Sequence, residues 1–210
     1  MRILIVAATA PEIAPLLEHP RPDVDVLITG VGMVATAARC SRALAVSSYD
    51  LALNLGVCGS FDPALAPGTV VHVTSDRVAE LGAEDDDRFL TVHDLQLLDE
   101  NEFPFEDGEL VNRAWPEHPM IRALPAVSGI SVNTAHGNAA SIARVVELFR
   151  PQVESMEGAA FMYACLIHQV PFAQIRAVSN VVEKRNRAAW KMAEAIQRLN
   201  EVALQIVAGR

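Results

Sequence analysis

With 210 residues, 51% of them hydrophobic, the chain can bury one sizeable core but is short for two, so a single α/β domain over 1–210 is expected. Its formal charge of −9 argues against nucleic acid, because phosphate-backbone affinity comes from clustered Lys and Arg. No apolar run approaches the roughly 20 residues of a membrane span. Three widely spaced cysteines, Cys40, Cys58 and Cys165, give neither a disulfide framework nor a zinc knuckle, and the histidines show no metal-binding pairing. The expectation is a cytoplasmic protein without metal or membrane association.

Residues 3–8 are an uninterrupted apolar run, the pattern of a strand covered on both faces, and Pro11 with Glu12 opens a short helix to about Glu18. Strand character returns over 24–29, Gly30-Val31-Gly32 makes a tight turn, and 33–46 alternates small and apolar residues at helical spacing. A third strand over 51–55 is expected to end in a turn at Gly56-Val57-Cys58-Gly59. The β-branched stretch 69–81 is a long strand that runs into Glu84-Asp85-Asp86-Asp87, read as a solvated loop. From there to Pro125 periodicity is weak, and irregular structure or an excursion at the sheet's edge is expected. Strands over 126–132, 153–156 and 172–182 then alternate with helices over 139–149, 158–168 and 188–207. This order predicts a three-layer α/β/α arrangement around a mixed, mostly parallel central sheet.

In open parallel sheets, ligands bind beyond the carboxyl ends of the strands. Four features fall there: Glu12 after the first strand, Gly56 to Gly59 after the third, Met156-Glu157 after a short one, and Ser179-Asn180 in the last. Each also has a plain structural explanation. Glu12 and Glu157 favour the positive ends of helices, the glycines serve a turn, and Asn180 is a satisfied polar group. A competing motif is Gly30-Val31-Gly32-Met33-Val34-Ala35, which matches the dinucleotide fingerprint G-x-G-x-x-A between a strand and a helix. That fingerprint wants an acid at the far end of the next strand, whereas Asp50 stands at its start. A dinucleotide-binding protein is the non-enzyme alternative.

Taken together, the four features resemble the purine nucleoside phosphorylase and nucleosidase superfamily. The resemblance covers most of the chain: the opening strand with Glu12, Asn54-Leu55-Gly56-Val57-Cys58-Gly59, Met156-Glu157, and Arg176-Ala177-Val178-Ser179-Asn180. It implies a nucleoside phosphorylase-like fold, a small-molecule nucleoside substrate, no cofactor and a homo-oligomer. Cleaving an N-ribosidic bond requires holding the ribose, stabilising a departing purine and supplying a nucleophile. On this resemblance Glu157 accepts hydrogen bonds from both ribose hydroxyls and favours the cationic sugar. Met156 lies against the sugar face, and Glu12 positions and deprotonates the attacking water.

Asn54 stands where bacterial phosphorylases of this type carry an arginine, which favours water over phosphate; Arg39 and Arg42 on the second helix are the candidates to substitute. Asn180 stands where adenosine-type nucleosidases place Asp. Its amide offers donors to N7 and O6 of hypoxanthine or guanine, so a 6-oxopurine leaving group is expected. Ser179 orients that amide or binds the base, and Val57, Cys58, Gly59, Val132 and Asn133 line the base pocket by family position. Cys58 is a small apolar wall, since nothing near it in sequence would lower its pKa. Departures from the nucleosidase pattern are Thr9 in place of Met and Ser155 in place of Glu. The segment from Ser179 to Trp190 resembles hydrolytic members whose substrate carries a carboxylated aromatic group at the far end of its ribose. Arg185 and Arg187 are candidate partners for that carboxylate, or else a solvated cluster. The alternatives within the superfamily are a purine nucleoside phosphorylase and an adenine-type nucleosidase.

Overall fold

A computed structural model describes residues 1–209. Strand β1 (Ile3–Ala7) is buried along its whole length and pairs in parallel with β2 (Val24–Ile28) and β3 (Leu51–Ser60). An apolar run without polar alternation has no face to give to water, so helices must cover both sides. Helices α1 (Ala14–Leu17), α3 (Pro119–Arg122) and α6 (Met192–Ala208) lie on one side, around Ile3, Ile5, Leu53, Ile175, Leu199 and Ile206. Helices α2 (Met33–Val46) and α5 (Gly158–Ile167) lie on the other, around Leu4, Val6, Ala52, Phe161 and Cys165. Alternate residues of β1 thus serve opposite cores, as a period of two requires. The α/β/α layering and the mixed sheet are as expected.

Strand β3 differs from the expectation. It runs to Ser60, and no turn forms at Gly56-Val57-Cys58-Gly59, because parallel pairing with β11 (Phe172–Val181) keeps the backbone extended through both glycines. The glycines are there for close approach. A Cβ on Gly56 would lie 2.2 Å from Arg176 Nη1, and one on Gly59 would lie 2.7 Å from Val182 Cγ2.

The remaining strands are β4 (Val70–Val78), β9 (Ala126–Ser131) and β10 (Val153–Ser155). Strand β11 lies between β3 and β4, β4 pairs with β9, β9 with β10, and β10 meets the outer end of β3 antiparallel at Gly59 and Ser60. These five strands therefore close into a ring, and β1 and β2 extend from it as an open wing. Within 82–125, β5 (Gly82–Asp85) and β6 (Arg88–Thr91) form a separate hairpin, and β7 (Phe105–Glu106) with β8 (Glu109–Val111) adds an edge beyond β4. The acidic run is exposed, but Glu84 and Asp85 are strand and only Asp86-Asp87 turn. Helix α4 (Ala139–Phe149) matches its expected bounds; Asn138 caps it by accepting from the Ala140 and Ser141 amides. The last helix starts at Met192 and not at 188, after a 3-10 turn at Arg187–Ala189. Among the described residues no helix is long and apolar enough to cross a membrane.

Candidate active site

The outer ends of β1, β3, β10 and β11 surround a cavity of about 380 Å³, lined among others by Glu12, Val57, Cys58, Gly59, Met156, Glu157, Ser179, Asn180 and Arg185. Closure of the ring brings β10 and β11 to opposite edges of β3, and residues distant in sequence meet there.

Glu12 lies in the 3-10 turn Ala10–Ile13 that follows β1. Its Oε2 accepts from the Thr9 amide and hydroxyl, both at 2.9 Å, and its Oε1 accepts from the Val57 amide at 3.3 Å. Asn200 of α6 donates to the Glu12 carbonyl at 2.8 Å, so the turn is held from both sides. The helix-start role and a place on the cavity wall thus coexist in one carboxylate.

Glu157 is 6% exposed, and its Oε1 accepts from the Gly32 amide at 2.9 Å. Gly32 adopts φ 97°, a conformation that side chains resist. The Gly30 amide donates to Ala8. The two glycine amides that a dinucleotide pyrophosphate would approach are therefore already engaged. The G-x-G turn serves to hold the Glu157 carboxylate.

Arg176 is almost completely buried. Its Nη2 donates to Asn54 Oδ1, and Asn54 Nδ2 donates to the Val6 carbonyl at 3.1 Å. Asn54 is thus committed below the cavity floor. Arg39 donates to the Ile28 carbonyl at 2.8 Å, and neither it nor Arg42 lines the cavity. Carboxylates of Glu12, Glu154, Glu157 and Glu183 face Arg185 and His136 around the wall. Such a wall opposes an anion and favours a cationic sugar.

On the far wall, Ser179 Oγ lies 2.8 Å from Asn180 Oδ1 and 3.1 Å from the Cys58 carbonyl. Asn180 Nδ2 donates to the Val181 carbonyl at 2.9 Å, which uses one of its two N–H groups. The other is available to a ligand. Burial pushes the Cys58 thiol up to about 12, against a smaller opposing effect of Arg176, so it is a neutral wall.

Some expected residues lie elsewhere. Val132 does not line the cavity: it is fully buried in a separate cluster with Ala79, Ile130 and Val145. Asn133 is also outside, because its amide is clipped to Glu80 Oε2 at 2.6 Å and the Thr134 amide to Oε1 at 3.2 Å. That clip turns the chain, and Ala135 and His136 reach the cavity in their place. Arg187 is exposed at the start of its 3-10 turn and is not on the wall, whereas Arg185 is, with its guanidinium 5.5 Å from the Trp190 ring centre.

Among the residues of the wall that escaped the sequence reading are Glu154 and His136. Glu154, 5% exposed, accepts from the His136 amide at 2.9 Å and pairs with His136 Nδ1. The one signal for Glu154 was its place two residues before Met156, which follows directly on β10. His136 sits in a loop without periodicity, and no local pattern marks it.

The closed strand ring, the apolar hollow at its mouth and the carboxylates aimed into it define a nucleoside phosphorylase-like protein. The chain belongs to the Phosphorylase superfamily, whose family model matches residues 2–208. Futalosine hydrolase of Streptomyces coelicolor is 34% identical over 196 residues, which cover 87% of this chain and 78% of that one. Futalosine hydrolase of Thermus thermophilus is 27% identical over 185 residues, covering 87% and 80%. The solved 5′-methylthioadenosine/S-adenosylhomocysteine nucleosidase from Neisseria meningitidis, in complex with methylthio-immucillin-A, superposes with a TM-score of 0.80. That match covers 100% of this chain and 99% of the other at 16% identity, a likeness of fold.

Proposed function

We propose that this protein is a nucleosidase that hydrolyses the N-ribosidic bond of futalosine, releasing hypoxanthine and dehypoxanthine futalosine. The observation that carries the reading is the meeting of Glu12, Met156-Glu157 and Asn180 around one cavity, in a chain whose sequence follows futalosine hydrolases over most of its length. The 5′-methylthioadenosine/S-adenosylhomocysteine nucleosidases alike in fold fit the adenine-type alternative, but this chain's amide at Asn180 favours the 6-oxopurine reading.

In the proposed mechanism Glu157 accepts hydrogen bonds from the ribose hydroxyls through the oxygen that Gly32 leaves free, and its charge stabilises the oxocarbenium-like sugar. Met156 supplies a polarizable surface beneath the ring. The C1′–N9 bond breaks with its electron pair passing to the purine, whose N7 accepts from the remaining Asn180 N–H. Glu12 takes one proton from the water that attacks C1′ and passes it to solvent, while the departing purine, held at N7 by Asn180, takes one proton from solvent and leaves as neutral hypoxanthine. Arg185, stacked on Trp190, is the partner proposed for the substrate's distant carboxylate. The same reading places the reaction in menaquinone biosynthesis, in the cytoplasm, in a homo-oligomer.

The test is purine release from futalosine, inosine and methylthioadenosine, with and without phosphate. Hypoxanthine release from futalosine at the same rate in both buffers is expected. A phosphate requirement makes the enzyme a phosphorylase, and release of adenine alone refutes the 6-oxopurine reading.

A further inference from the structure

Glu157 stands at the N-cap of α5, and its carbonyl accepts the first helical hydrogen bond, from the Phe161 amide at 3.0 Å. A polar side chain at that position ordinarily accepts from the amide two or three residues on, because the first-turn amides have no partner within the helix. Glu157 makes no such bond. The Ala159 amide, two residues on, donates instead to Ser131 Oγ at 2.7 Å, and the Gly158 amide donates to Ser155 Oγ at 3.2 Å. We propose that Ser131, its hydroxyl oriented by Asp76, is a positioning residue of the ribose clamp: it caps α5 in place of Glu157 and so leaves the Glu157 carboxylate free to face the cavity. The proposal rests on the nucleosidase reading and deepens it.

The strand order brings these groups together. Ser131 ends β9 and pairs in register with Ser155 of β10, from which the chain passes through Met156 and Glu157 into α5. Asp76 of β4 lies along the other edge of β9, opposite Gly129. Ser131 and Asp76 are both buried, and neither lines the cavity. Two glycines make room for the Asp76 carboxylate. A Cβ on Gly158, the first residue of α5, would lie 2.2 Å from Asp76 Oδ2, and one on Gly129 would lie 3.4 Å from the same atom. Asp76 is thus packed directly against the start of the helix that carries the clamp.

Asp76 decides which way the Ser131 hydroxyl points. Ser131 Oγ donates to Asp76 Oδ1 at 3.1 Å, while Gln174 Nε2 donates to Oδ2 at 2.9 Å. A hydroxyl has one hydrogen and two lone pairs, so with its hydrogen on the carboxylate it offers a lone pair to the Ala159 amide. From the cavity side, the Gly32 amide draws Glu157 Oε1 outward. Without the Ser131 oxygen, the Ala159 amide would be a buried donor lacking an acceptor, which is costly. The Glu157 carboxylate would then cap its own helix and turn away from the sugar.

The test is the dependence of kcat/KM on the ribose 2′-hydroxyl, read from hypoxanthine release from futalosine and 2′-deoxyfutalosine. Wild-type protein is expected to prefer futalosine by about 10- to 100-fold, the range for a hydrogen bond to a charged group. Ser131→Ala should shrink that preference by about fivefold or more, while calorimetric binding of free hypoxanthine, which has no ribose, is unchanged. A preference kept intact, or a loss shared by free hypoxanthine, overturns the proposal. Asp76→Ala should act like Ser131→Ala. Asp76→Asn should restore the preference, since its oxygen still accepts from Ser131 and its amide can meet Gln174 Oε1, which has no partner in the wild-type protein. Equal behaviour of the two Asp76 variants overturns the part given to Asp76. Thermal melts give an independent readout: Glu157→Ala should lower the melting temperature more in the Ser131→Ala protein than in wild type, because only there does Glu157 cap the helix. Equal shifts overturn the proposal. Absence of hypoxanthine release from wild type refutes the proposed function and the clamp with it, whereas a wild-type preference that survives Ser131→Ala refutes the role of Ser131 alone.

Discussion

Gly56→Ala distinguishes a glycine needed for close approach from one needed for a turn. The added Cβ would stand 2.2 Å from Arg176 Nη1, 3.4 Å from its Cζ and 3.1 Å from Glu12 Oε1. Ordinary contact is about 3.5 Å, so the guanidinium must retreat by roughly 1 Å. It has little room to do so, since Arg176 is 1% exposed and its other terminal nitrogen is bonded to Asn54. Overpacking of this kind costs about 1–3 kcal/mol, which at about 2–4 °C per kcal/mol for a chain of this size lowers the melting temperature by about 2–12 °C. The catalytic loss is expected to be larger. The neighbouring Val57 amide holds Glu12, and misplacing a reacting group by about 1 Å costs on the order of 100-fold in rate. Steady-state kinetics of hypoxanthine release, beside a thermal melt, should show kcat reduced about 100-fold in a protein that is still folded. Gly56 is not in the left-handed region, so a plain strand glycine would accept Ala easily. A kcat within about threefold of wild type would refute the packing argument.

Glu12→Gln keeps the contacts to Thr9 and Val57 within reach but removes the base, so turnover is expected to fall about 10²- to 10⁴-fold while hypoxanthine affinity is kept. Near-normal turnover counts against Glu12 as the base. Asn180→Asp puts a carboxylate against O6 and should lower kcat/KM for futalosine by about 10- to 100-fold, the cost of leaving a buried polar group unmatched; unchanged kcat/KM would show that Asn180 does not read the base. Two buried groups away from the cavity give opposing pH effects. Burial, assisted by Arg122, pushes the His72 imidazole down to about 4. Its contribution to stability is complete above pH 6.5 and is lost as pH falls through 4. Burial pushes the Asp76 carboxyl up to about 6 despite bonds from Gln174 and Ser131. Its contribution is complete below pH 3.8 and is lost as pH rises through 6. Each amounts to about 3 kcal/mol at 1.36 kcal/mol per pKa unit, so the two nearly cancel between pH 4 and 6. Urea melts of Asp76→Asn should lose about 3 kcal/mol more than wild type between pH 7 and pH 4; parallel pH profiles would refute the linkage.

Local pattern was enough for the elements that face a core on one or both sides. The run at Ile3–Ala7, the helix Met33–Val46 and the helix Ala139–Phe149 are legible because burial imposes periods of two or 3.6 on adjacent residues. The residues Glu12, Met156, Glu157 and Asn180 stood out as polar or sulfur-bearing side chains where strands end, and family resemblance assigned them together. Gly56 and Gly59 misled, because a glycine looks the same whether it permits a turn or makes room. Only β11, which delivers Arg176 and Val182 from more than a hundred residues away, shows that these two make room. Val132 and Asn133 gave way to Ala135 and His136 because Glu80, beyond the end of β4, captures the Asn133 and Thr134 amides. His136 and Glu154, 18 positions apart, meet across intervening loop and helix. Outside 82–125 and the Gly56–Gly59 stretch, the sequence by itself determined which segments are strand and helix and which faces are buried, because those depend on neighbours along the chain. The tertiary structure decided the closure of the sheet, the purpose of its glycines and which side chains share the cavity. Those depend on strand pairings between residues far apart in sequence, and no local pattern records them.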